Sequence, residues 1–225
     1  MTTQLTDADL QPYLATPLTA LYGFDMNEKL HTLWALISAT EAAFIHRDMG
    51  NVAVVGMGGE TPEFELPCPM FDPVCYSAPE PTWETRRMTL VDAIDWWKAR
   101  LGFHADQSPY VTTLLMTGLS CPRLAVEHVE RDLHPKIQAG LADFFVSLIR
   151  MGRRVIIDTH SIPLFDRLRV WLLWDPSLQD KVGVWVDGKP VDYNATLFPI
   201  ALSDFGLQDE VRVGVLQRQL DRKKG

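Results

Sequence analysis

Residues 123–160 constrain the fold more tightly than any other stretch. Leu124, Ala125 and Val126 make a short apolar run that ends on Glu127 and His128. Val155, Ile156 and Ile157 make a second run, ending on Asp158, Thr159, His160 and Ser161. Unbroken apolar runs of this length suit strands buried on both faces, as in a parallel sheet. Between them, Ile137, Leu141, Phe144, Phe145, Leu148 and Ile149 recur at helical spacing and form one wide apolar face. His134 is placed as the cap of this helix. Pro135 suits its first turn, where a missing N–H costs nothing, and Gly152 suits a left-handed C-terminal stop. Strand, helix and strand with short joints make a βαβ unit, whose crossover is right-handed. Both strands then deliver their polar ends to one sheet edge, the edge where open α/β sheets bind ligands. The expected class is α/β, a mostly parallel sheet flanked by helices.

The remaining segments are read around this unit. Asn27 can cap a helix over residues 27–47, with Leu30, Leu33, Trp34, Ile37, Phe44 and Ile45 as its stripe, interrupted by Glu41 and ended by Gly50. A strand follows over 51–55, then a glycine-rich turn over 56–59. A phosphate loop reads G-x-x-x-x-G-K-[ST], and no segment of the chain matches it in full; no Lys follows Gly56, Gly58 or Gly59. Six prolines between 62 and 81 (Pro62, Pro67, Pro69, Pro73, Pro79, Pro81) predict an extended linker and the best internal boundary. The expected division is therefore 1–82, a divergent N-terminal region with this linker, and 83–225, the α/β domain. Helices are expected from Thr89 to Leu101, from Ser108 and Pro109 through Leu115, and around Leu164, Leu168, Trp171 and Leu172. A strand over 182–186 and an Asp187-Gly188 turn predict a hairpin returning at 191–193.

Composition removes several functions. The net charge is −8 over 225 residues, which argues against a generic nucleic-acid surface, since that needs a basic face. No run is long enough for a transmembrane helix, and the polar start lacks the apolar stretch of a signal peptide. Three cysteines give no disulfide framework, so a cytoplasmic protein is expected. Cys68 and Cys75 lack the spacing of a zinc site.

The stretch from Leu124 through Glu127, His128, Glu130, Leu133, His134 and Pro135 to Gln138 resembles the Walker B segment of ABC-type ATPases related to the RecF, SMC and OLD proteins. There an apolar strand runs into an acid, a second acid or Asn, Pro, Glu and then Leu-His-Pro. The run from Val155 to Ser161, followed by Leu164 and Arg167, resembles the family's switch-histidine segment, T-H-S. Leu101 to Gln107 resembles, more weakly, the signature segment. The likeness covers roughly residues 100–205 and implies the C-terminal half of a P-loop ABC-type ATPase head, with Walker A absent.

That resemblance implies ATP and Mg²⁺ as cofactors. Glu127 takes the metal position and His128 the place of the acid that polarises water. His160 takes the γ-phosphate position, and Glu130 and Gln107 stand at cofactor-binding positions. Asp106 replaces the signature Ser, where an anion would repel phosphate, and Val129 replaces the family's Pro. The same residues also admit structural roles. Glu127 and His160 at neighbouring strand ends can form a buried pair, and Asp158 has Arg153, Arg154 and Arg167 as candidate ion-pair partners. Two functions follow. One is a degenerate, non-catalytic ATPase-like interaction module, paired with a complete ATPase subunit or with itself and touching nucleic acid only indirectly. The other is an ATP hydrolase using Glu127 and His160 with a phosphate loop from a partner chain. DNA repair or phage defence is the setting the resemblance implies.

Overall fold

The computed structural model describes residues 5–22, 26–48, 51–54, 63–70, 83–102, 109–186 and 188–191. Gln107, Asp106, the 56–59 turn, Asp187 and all residues beyond 191 lie outside that set. The elements run α1 (Asp7–Leu14), β1 (Leu18–Tyr22), α2 (Met26–Thr40), β2 (Ala43–Asp48), β3 (Asn51–Val54), β4 (Phe64–Pro69) and β5 (Trp83–Met88). They continue α3 (Leu90–Leu101), α4 (Pro109–Ser120), β6 (Arg123–Val126), α5 (Pro135–Arg150), β7 (Arg154–Asp158) and α6 (Ile162–Trp174). A 3₁₀ turn (Pro176–Lys181), β8 (Val182–Val186) and β9 (Lys189–Pro190) follow.

Seven strands form one sheet in the order β3-β2-β6-β7-β1-β8-β9. The five inner strands are parallel to their neighbours; β3 and β9 are antiparallel edges. The predicted βαβ unit is present, with Leu124 opposite Val155 and Val126 opposite Ile157. β1, β6 and β7 are buried on both faces over nearly their whole length, which explains their apolar runs. Leu18, Ala20, Val126, Val155 and Ile157 face a large core with α3, α4, α5 and α6. Leu21, Ala125 and Ile156 face a smaller one with Leu10 of α1 and Leu33 and Leu36 of α2. Phe144 and Leu148 are fully buried, with Gly118 of α4 beside both and Trp97 of α3 beside Phe144, and Gly152 ends the segment after α5 at φ +77°.

Three expectations change. The helix foreseen over 27–47 is two elements. Glu41 adopts φ +51°, which an α-helix cannot continue through, and β2 then enters the sheet beside β6. The proline-rich stretch contributes a strand: β4 pairs antiparallel with β5, Pro67 opposite Thr85 and Pro69 opposite Trp83. In a two-stranded ribbon each strand has a free side, so proline's missing N–H is tolerated there. Leu66 and Cys68 of β4 are fully buried, and the Ser147 hydroxyl donates to Pro67 O at 2.6 Å. Burial pushes the Cys68 thiol up to about 11. Finally, β1 lies between β7 and β8, and β4 pairs with β5, so a division at residue 82 runs through both sheets. Among the described residues, no helix is long and apolar enough to cross a membrane.

Candidate functional site

The site forms where the sheet's connections diverge. The chain leaves β1 through α2 on the face of the smaller core and leaves β7 through α6 on the opposite face. Adjacent strands whose connections part in this way open a crevice at their C-terminal ends, the usual ligand position in such sheets. Three segments meet there: the start of α2, the turn after β6 and the turn after β7.

Lys29, in the first turns of α2, is 7% exposed. Its Nζ lies 2.7 Å from Asp158 Oδ1 and 2.6 Å from His160 Nε2. Lysine has only donors, so His160 Nε2 is the acceptor. Burial, reinforced by the Lys29 charge, holds the His160 imidazolium below its ordinary pKa, so the ring is the neutral acceptor this bond requires. Asp158 ends β7 at 2% exposure and balances the Lys29 charge. The partners expected for it are engaged elsewhere. Arg153 donates to Cys121 O and Leu119 O, Arg154 to Leu14 O, and Arg167 to Asp143.

The turn after β6 supplies His128 at φ +48°, a left-handed conformation that is strained for a side-chain residue. Its Nδ1 faces Asp158 Oδ2 at 3.4 Å, and its ring stacks on His160 with centroids 5.9 Å apart. Val129, next in sequence, is fully buried, and its N–H donates to Asp158 O. The two turns are thereby tied to each other. Glu130 extends the tie: its carboxylate accepts from the Thr159 hydroxyl at 2.5 Å and from the His160 N–H at 3.0 Å. Ser161 caps α6 through Leu164 N–H and donates to Gln138 Oε1, while Gln138 Nε2 donates to Leu133 O. His134 caps α5 as foreseen, its Nδ1 accepting from Lys136 N–H.

Of the residues singled out in the sequence, Glu127, His128 and His160 thus stand at one sheet edge, and Glu130 braces the turn that carries His160. Glu127 is buried, with its N–H donating to Ile45 O. Among the described residues, the convergent set of three metal-capable side chains is His128, Asp158 and His160. Mg²⁺ asks for an octahedral shell of oxygens, and two imidazoles with one carboxylate do not fit it.

Lys29 escaped the sequence reading, and a signal for it existed. After the apolar strand Leu18–Tyr22 comes Gly23-Phe-Asp-Met-Asn-Glu-Lys29-Leu30, which keeps the first Gly and the Lys of G-x-x-x-x-G-K-[ST] at their spacing. Glu28 replaces the second Gly and Leu30 the Ser or Thr that would hold Mg²⁺. A search keyed on glycine-rich turns passes over it. No protein-family profile, curated protein or solved structure matches this chain.

Proposed function

We propose that the chain is a degenerate, non-catalytic protein of the ABC-type ATPase kind, keeping a phosphate-directed lysine but not turning ATP over by itself, and serving as an interaction module for a complete ATPase subunit or a second copy. The carrying observation is Lys29, which reaches from the helix after β1 to the switch-point crevice and meets His160 and Asp158 there. A lysine in the first turns of the helix that follows a strand is the element that contacts β- and γ-phosphates in phosphate loops. The losses around it support the non-catalytic reading. Lys29 is held by an internal carboxylate, Leu30 offers no hydroxyl to Mg²⁺, Glu28 stands where the motif has its second Gly, and His128 replaces the acid that would polarise water.

A hydrolase remains the second reading, favoured by one observation: Lys29, the lysine this reading directs at phosphate, belongs to this chain, so no partner would have to supply it. Calorimetry with MgATP and a phosphate-release assay on the purified chain separate the two. The expected result is weak binding that Lys29→Met removes, without release of phosphate. Turnover abolished by both Glu127→Gln and His160→Ala would establish the hydrolase instead. Binding unaffected by Lys29→Met would place any nucleotide site elsewhere.

A further inference from the structure

We propose that His128, Asp158 and His160 form a site for a divalent transition-metal ion of the Zn²⁺ or Co²⁺ class, and that Lys29 is the resident counter-ion the metal displaces. One donor atom from each of the three residues lies within 4.8 Å of the others, and His128 Nδ1 already stands 3.4 Å from Asp158 Oδ2. Metal bonds of about 2.0–2.1 Å in tetrahedral geometry put ligand atoms roughly 3.3 Å apart. The set therefore closes on an ion by contracting no more than about 1.5 Å. Imidazole with carboxylate selects borderline metals such as Zn²⁺ over Mg²⁺, and three protein donors leave a fourth position open.

A second, independent observation is that the site already binds a cation. The Lys29 ammonium sits on two of the three proposed ligands, 2.7 Å from Asp158 Oδ1 and 2.6 Å from His160 Nε2. The local field is thus arranged for positive charge, and the His160 lone pair points at the place that charge occupies. His128 holds a left-handed backbone that brings its ring to the same point. Glu130 fixes the turn carrying His160 through the Thr159 hydroxyl and the His160 N–H. The lysine stem is flexible enough to withdraw the ammonium when an ion arrives.

The inference does not rest on the phosphate reading, because it concerns the metal alone in the absence of nucleotide. The full chain, freed of any affinity tag and stripped with chelator, is titrated with Co²⁺ and followed by its visible d–d absorption, then back-titrated with Zn²⁺. Saturation at one Co²⁺ per chain, reversed by Zn²⁺, is expected. His128→Gly keeps the positive φ and should weaken binding by more than the roughly 10–100-fold loss of an outer-shell partner. Lys29→Met removes the competitor and should tighten binding by at least about tenfold. No saturable binding, or equal affinity in His128→Gly, overturns the site. Wild-type binding that Lys29→Met leaves unchanged overturns the counter-ion role. Should Lys29→Met fail to fold, the wild type and His128→Gly decide the site alone, and a folded Lys29→Gln takes its place for the counter-ion.

Discussion

Asp143 shows how much a single buried carboxylate can hold. It is fully buried on α5, yet it accepts from Arg167 Nε at 2.7 Å, from Arg167 Nη2 at 3.1 Å, from Trp171 Nε1 at 2.6 Å and from Arg100 Nη2 at 3.3 Å. Arg167 is itself 4% exposed, so removing Asp143 takes a carboxylate away from a buried guanidinium. Asp143→Ala should cost about 3–5 kcal/mol, measured by urea unfolding; a loss below ~1 kcal/mol would mean the network contributes no more than surface pairs do. His160 yields a prediction of opposite chemical sense. Burial, then Lys29, lower its pKa in the folded chain below the ordinary 6.5, so the unfolded chain takes up a proton there first as pH falls. The stability this group contributes is intact above 6.5 and is lost as pH drops from there toward the folded value. His160→Gln should flatten the fall in unfolding free energy below pH 6.5, and an unchanged slope would assign that pH dependence to other groups. Asp143 was not legible in the sequence, and Lys29 was legible only as its spacing from Gly23. An Asp in an apolar helical stripe reads as an interruption until its donors, Arg100 on α3 and Arg167 and Trp171 on α6, are brought to it. Lys29 reads as a surface charge until β1 is known to lie beside β7.

At the scale of elements, α5 is where sequence and structure agree best. Its limits, cap, stop and buried face follow from local rules, because period and capping are set within the helix itself. Its neighbour α4 approaches it through Gly118, where an added Cβ would lie 2.8 Å from Phe144 Cζ and 3.0 Å from Leu148 Cδ1. Gly118→Val should destabilise by about 1–3 kcal/mol through overpacking. Phe144→Ala and Leu148→Ala should each cost about 2–5 kcal/mol through the cavity they leave. Thermal and urea unfolding of these variants check the helix–helix contact, and near-neutral values for all three would show that α4 and α5 do not pack through this face. Elements whose identity depends on partners were harder to read. The β4–β5 ribbon is hidden by its prolines, and it becomes intelligible only as a ribbon lying on α5, with Trp83 4.6 Å from Trp171 and the Arg150 guanidinium 4.3 Å above the Trp83 ring. The junction of α2 and β2 was hidden because the apolar stripe continues across it, while the break lies in the backbone of Glu41.

For the whole molecule, the sheet order places β1 inside the sheet, next to the central strand β7 and flanked on its other side by β8, with Leu18 opposite both Val155 and Val182. Its five residues are all buried, and each of its amides exchanges only when the strand to which it donates separates. Hydrogen exchange should therefore find the β1 amides among the slowest in the chain and tracking global unfolding. Rapid exchange there, with β6 and β7 still protected, would show that β1 is a separable attachment. The parallel pairing of β6 and β7 was legible because both strands lie within one βαβ unit; the insertion of β1 was not, because its partners are distant in sequence.

That placement also sets an order on the ribosome. The five buried residues of β1 emerge early, but both of their flanking strands emerge late, β7 ending at Asp158 and β8 at Val186. At synthesis rates of roughly 5–20 residues per second, an apolar segment with both edges unpaired waits on the order of ten seconds for its place in the sheet. During that interval the nascent chain exposes an apolar segment with unpaired edges, the feature that favours misassociation until the sheet closes over it.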